Sequence, residues 1–143
     1  MNLAKMVAIH FVIMFALTYS MVNSVDNIHL NINRMYMAAM MVSPMVVLML
    51  ILMPSMFPNQ KLNYLLMAIF TAALVVFFLF VRTQAFVQDR QFLRSMIPHH
   101  SSAILMCEKA SITDQEIQSL CGEIVESQKR EIAQMERILK RMN

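Results

Sequence analysis

One glycine and no tryptophan occur among 143 residues. A single glycine excludes a Gly-rich phosphate loop, whose backbone must approach the ligand closely at several positions. Charge is scarce in the first part of the chain: residues 1–81 hold only Lys5, Asp26, Arg34 and Lys61. That scarcity argues against a water-facing globule there and points to two regions in different solvents, lipid first and water second. No stretch alternates apolar and polar side chains with period two, so a membrane barrel is excluded and helices remain. A net charge of +3 is small and mixed in sign. Residues 129–141 interleave Lys129, Arg130, Arg137, Lys140 and Arg141 with Glu131 and Glu136, a solvated helix face rather than a nucleic-acid patch. Three chemical signatures are also missing. There is no Ser-His-Asp arrangement, no His-Glu-x-x-His zinc-protease motif, and no Glu-x-x-His di-iron element, because Met96 and Ile97 stand three residues before the histidines.

What is present is apolar: 58% of the chain, with 17 methionines. Three long runs stand out, at residues 7–22, 35–53 and 64–81. With flanking residues each approaches the ~20 residues needed to cross the hydrocarbon core, so three transmembrane helices are expected. The first run follows Lys5 as a signal peptide would, but no small-x-small cleavage site follows it, and it reads as an uncleaved span. Three spans put the loop 23–34, with His29, on the same side as the C-terminal region. In the second run Met37, Met41, Met45, Met49 and Met53 recur every fourth residue and sweep a face ~160° wide, which suits lipid or packing better than a channel. Residues 1–83 therefore form a membrane domain and residues 84–143 a helical hairpin.

From Arg82 onward the pattern stays helical, read as one long helix continuing from the third span and kinked at Pro98, which crowds the carbonyl of Arg94. Residues 111–113 turn the chain, and Thr113 with Glu116 reads as a capping box opening a helix that runs to about Arg141. Its apolar stripe is Ile117, Leu120, Cys121, Ile124, Gln128, Ile132, Met135 and Leu139.

The segment SMIPHHSSAILMC (95–107) carries the chemistry. On a helical wheel Met96, His99, His100, Ala103, Met106 and Cys107 fall within a stripe ~120° wide, with Asp89 two turns upstream on the same face. Met96 to His100 spans ~6 Å of helix rise and Met96 to Cys107 ~16 Å. One ion would thus take Met96 with His99 or His100, and Met106 with Cys107 would belong to a second position. Antiparallel pairing about Ile112 sets Ile124 level with His100 and Gln128 level with Met96. Thioether and imidazole donors favour Cu(I), with zinc the alternative if thiolate and imidazole dominate. The bland reading is that both histidines are satisfied core residues. Cys107 and Cys121 lie on facing stripes and read as reduced thiols, a disulfide in an oxidising compartment, or metal ligands.

FLRSMIPHHSSAILMCEKA followed by EIVESQKREIAQM resembles the domain of unknown function 305 family. That family carries Met-hydrophobic-Pro-His-His on one helix and Gln-x-x-Glu-Ile-x-x-Met on the next. The matching positions are Asp89, Phe92, Met96, Pro98, His99, His100, Ala103 and Met106, then Gln128, Glu131, Ile132 and Met135. The resemblance implies a ferritin-like helical bundle, copper handling by some members, and an extracytoplasmic metal site. The positive-inside count leans the other way, but arginines in a folded helical region are weak topogenic signals, and the extracytoplasmic side is the one expected.

The expectation is an all-α integral membrane protein of a bacterial inner membrane, with three spans and a hairpin completed to four helices by homodimerisation. Its expected work is to bind Cu(I) at Met96, His99 and His100, with Met106 as a relay. Asp89, Cys107, Gln128, Glu131, Met135 and His29 are supporting residues. No general base lies one turn from the histidines, so binding without bond-breaking is expected. The alternative is a structural or interaction module that partners a metal transporter.

Overall fold

The computed structural model describes residues 3–142. They form five α-helices and two short 3-10 turns, Val25–Asn27 and Pro54–Met56, with no strand among them. The helices are α1 (Leu3–Leu17), α2 (Ile32–Leu52), α3 (Gln60–Thr83), α4 (Asp89–Lys109) and α5 (Gln115–Arg141). The chain divides into two compact units. One takes the residues up to Thr18 with Asn33–Phe86; the other takes Tyr19–Ile32 with the residues from Val87 onward.

In the first unit α2 packs against two partners. Its buried Val42, Val46 and Leu50 pack against Leu3, Val7, Phe11 and Met14 of α1 and Leu66, Met67 and Phe70 of α3. Among the residues of α3 only Asn63 is buried; its amide donates to the Phe57 carbonyl at 2.7 Å and ties the connecting turn to the helix. Leu62, Leu65, Ile69, Val75, Val76, Phe78 and Leu79 of α3 are exposed. Met37, Met41 and Met53 of the α2 row are also exposed.

Among the described residues two helices, not three, are long and apolar enough to cross a membrane: α2 with 21 residues and α3 with 24. The first apolar run closes into a helix of only 15 residues, about 22 Å at 1.5 Å per residue, short of the ~30 Å hydrocarbon core. It ends where Thr18 and Tyr19 turn the chain.

The third span does not continue into the hairpin. Gln84 and Phe86 take left-handed φ angles of 52° and 59°, and the N–H of Ala85 reaches back to the Phe80 carbonyl at 3.0 Å. This is a Schellman-type stop made without the usual glycine. Tyr36 closes over it, its hydroxyl donating to the Ala85 carbonyl at 3.1 Å with its ring against Phe77 and Phe80.

The second unit is a hairpin of α4 and α5 with an ordered strap, residues 19–32, along α4. Leu93, Ile97 and Ile104 of α4 meet Ile132, Met135 and Leu139 of α5 in one core; burying each such side chain contributes about 2 kcal/mol. Asp114, rather than Thr113, caps α5: its Oδ1 accepts from the N–H groups of Glu116 and Ile117 at 2.9 and 3.1 Å. The register also differs from pairing about Ile112. Glu131, not Ile124, stands beside His100, two turns further along. The 27-residue α5 outlasts the 21-residue α4, and its first turns overhang the end of α4, leaving Ile117 and Leu120 exposed.

Candidate functional site

The strap is held by polar side chains that the apolar pattern does not reveal. Ser101, on the buried face of α4 with 0% exposure, accepts through Oγ from the Asn23 N–H at 2.9 Å and from the Asn27 amide at 3.1 Å. Nearer the start of α4, Gln91 accepts from the Ile32 N–H at 3.1 Å. Between these anchors lies Asn31. Pro98 has no N–H, so it leaves the Arg94 carbonyl without its helical donor. The Asn31 amide donates to that carbonyl at 3.3 Å and to the His29 carbonyl at 2.9 Å. The proline thus creates the acceptor that the strap fills. Tyr19 completes the anchor by donating to the His29 carbonyl at 2.8 Å.

The same strap carries His29, whose Nε2 lies 2.7 Å from Glu136 Oε1 on α5. His29 is thereby engaged with Glu136, while His100 has a different carboxylate. His100, with a side chain 13% exposed, sets Nδ1 2.9 Å from Glu131 Oε2. The carboxylate oxygen sits off the line of the ring N–H, so the contact is an electrostatic pair rather than a directed hydrogen bond. Ser127 donates to the other oxygen, Oε1, at 2.9 Å and fixes the carboxylate. Burial pushes the His100 pKa below the ordinary histidine value; Glu131 opposes the shift and His99 adds to it. The imidazole is therefore neutral near pH 7, the form that binds metals.

Burial selects a different part of α4 from the donor stripe. Leu93, Ile97, Ser101 and Ile104 are buried, centred roughly 90° from Met96 on the wheel. His100 and Cys107 lie at the edge of that face, half-buried, and Met96 packs against the core. His99 and Met106 point outward and are exposed, as is Asp89 in the first turn. The two imidazole rings are 6.1 Å apart centre to centre. Gln128 is half-buried on α5, and Met135 belongs to the core. Cys107 and Cys121 are joined in a disulfide with Cα atoms 5.3 Å apart.

Among the described residues no group of three or more His, Cys, Asp or Glu side chains is placed to hold a metal ion. The structure sets His99 beside His100 and His100 beside Glu131, packs Met96 against the core that contains Met135, and pairs His29 with Glu136 instead.

Residues 80–139 match the profile of a domain of unknown function, DUF305. This segment belongs to the DUF305 family. The histidine pair, Pro98 and Glu131 all lie inside it, whereas α1, α2 and the strap lie outside. An uncharacterized protein of Acanthamoeba polyphaga mimivirus is 40% identical over 74 residues, which is 50% of this chain and 49% of that protein. The chain thus aligns with about half the length of this relative. No solved structure matches the chain significantly.

Proposed function

We propose that this protein is a membrane-anchored DUF305 protein that binds Cu(I) through His99 and His100, with the Met96 thioether as third donor, and sequesters or relays the ion. The observation that carries this reading is the carboxylate at His100: with Glu131 beside Nδ1 and Ser127 fixing Glu131, the proton is favoured on Nδ1 and Nε2 keeps its lone pair. A carboxylate beside the far nitrogen of a ligating histidine is common in metal sites. Two metal–nitrogen bonds of about 2.0 Å each, plus the two rings, span roughly 6 Å, comparable with the 6.1 Å between the ring centres.

Membrane anchoring is supported chiefly by α3, whose apolar window has no buried residue. A water-soluble core helix would be covered, and exposing such a surface to water is costly. Two spans return the chain to the side it left, which suits a strap before α2 that packs with a hairpin after α3. The disulfide favours an oxidising compartment, such as the extracytoplasmic side of a bacterial inner membrane. Homodimerisation would complete a four-helix arrangement from two hairpins.

A second reading is an interaction module that partners a metal transporter, with the histidines and methionines packing only. It is favoured by the small donor set around His100. Titrating the purified full chain, disulfide intact, with Cu(I) against a chromophoric competitor separates the two. Binding tighter than micromolar that is lost in His99→Ala/His100→Ala supports metal handling; equal affinity in that variant, or no such binding, supports the interaction module.

A further inference from the structure

Beyond the imidazole pair, the far end of the hairpin brings four sulfur-bearing residues to one place. Met21, Met106, Cys107 and Cys121 line one cavity of about 530 Å³. Both methionines are exposed, at 48% and 59%. Met21 comes from the strap, and the Asn23–Ser101 hydrogen bond two residues further on holds that part of the strap against α4. Cys107 and Cys121 also line a second cavity, of about 320 Å³, with Gln118 and Gly122. Both cysteines are half-buried and border open space, which leaves room for an ion beside them.

We infer that Met21, Met106, Cys107 and Cys121 form a second soft-metal site, closed while Cys107 and Cys121 are disulfide-bonded and opened when a dithiol reduces them. The donor dithiol attacks one sulfur, the mixed disulfide resolves, and the donor leaves as a cyclic disulfide. Two electrons and two protons pass to this chain, which then carries two thiols. One Cu(I) displaces both thiol protons and is held by two thiolates, with the Met21 and Met106 thioethers completing a sulfur-only set. The bound unit carries one negative charge. Lys109 lines the same cavity and supplies a positive charge to offset it.

The histidine pair takes no part in this site, so the two stand or fall separately. The test compares Cu(I) capacity of the purified full chain, oxidised and after dithiol reduction and removal of the dithiol under anaerobic conditions. The expected result is one additional Cu(I) per chain in the reduced protein, with an ultraviolet thiolate-to-copper charge-transfer band. The increment persists in His99→Ala/His100→Ala and disappears in Cys107→Ser/Cys121→Ser. Met21→Leu/Met106→Leu keeps the thiolate band but surrenders copper to the competitor more readily than the reduced wild type. Equal capacity of wild type in both redox states overturns the inference without recourse to any variant. So does an increment that survives the serine substitutions, and copper retention unchanged by the leucine substitutions removes the thioethers from the site.

Discussion

Replacing Ser101 with alanine tests whether the strap is held by one hydroxyl. The Oγ of Ser101 is the acceptor for both the Asn23 N–H and the Asn27 amide, at 2.9 and 3.1 Å, in a residue with no exposed surface. Ser101→Ala leaves two donors without a partner. A buried unsatisfied group costs about 1–3 kcal/mol, and partly buried donors fall at the low end, so the strap loses about 2 kcal/mol. That corresponds to roughly a 30-fold rise in the population of the detached strap. Hydrogen exchange followed by mass spectrometry on peptides covering residues 19–32 reads this directly, because local opening exposes the strap while the α4–α5 core stays closed. Ser102→Ala is the control: Ser102 donates to the Pro98 carbonyl of its own helix at 2.9 Å and touches no strap residue through that bond. Strap exchange in Ser101→Ala indistinguishable from wild type, or matched by Ser102→Ala, would refute the reasoning.

Asn31→Ala, at a residue 3% exposed, strips donors from the Arg94 and His29 carbonyls; it is expected to destabilise the second unit by about 2 kcal/mol in denaturant titrations. An additional Pro98→Ala should recover part of that loss, because the alanine brings a backbone N–H that restores the helical donor to the Arg94 carbonyl. Breaking the Cys107–Cys121 bridge, whose cysteines lie 14 residues apart, removes about 3 kcal/mol in the chain-entropy account; equal denaturation midpoints for wild type and Cys107→Ser/Cys121→Ser would contradict it. His100 has its folded pKa below the unfolded value of 6.5, so the unfolded chain takes up the proton first. Its contribution is fully present above pH 6.5 and is lost as the pH falls from there toward the folded pKa. Stability of wild type relative to His100→Gln should accordingly decline as the solution is acidified through that window, and a difference that is flat or rises on acidification would contradict the burial of this imidazole.

The helices were legible wherever a local signal existed. The second and third apolar runs became α2 and α3, the stripe of Ile132, Met135 and Leu139 became the core of α5, and a break near residue 112 separated α4 from α5. The stop after α3 was not legible, because Gln84 and Phe86 adopt left-handed backbone with neither glycine nor proline to announce it. The shortened α1 illustrates the same limit: Thr18 and Tyr19 turn the chain inside an apolar run. The strap was hidden for another reason. Its bonds join residues 59 to 107 positions apart, and asparagine, serine and glutamine carry no periodicity that would point across such a distance. Wheel positions did gather His99, His100 and Met96 on one side of α4. They could not tell which edge of that stripe the core would cover, so the outward turn of Met106 and the pairing of His100 with Glu131 required the packed hairpin. For the cysteines, facing stripes left three outcomes open, and only the approach of the two helices selects the disulfide.

The most direct test of copper binding at the imidazole pair is X-ray absorption on the oxidised full chain loaded with one equivalent of Cu(I). With the disulfide intact no thiolate competes. The spectrum is expected to contain imidazole nitrogens at about 2.0 Å with their outer-ring scattering, joined by a single longer thioether sulfur. A first shell made of sulfur alone, or one that is unchanged in His99→Ala/His100→Ala, would contradict the account.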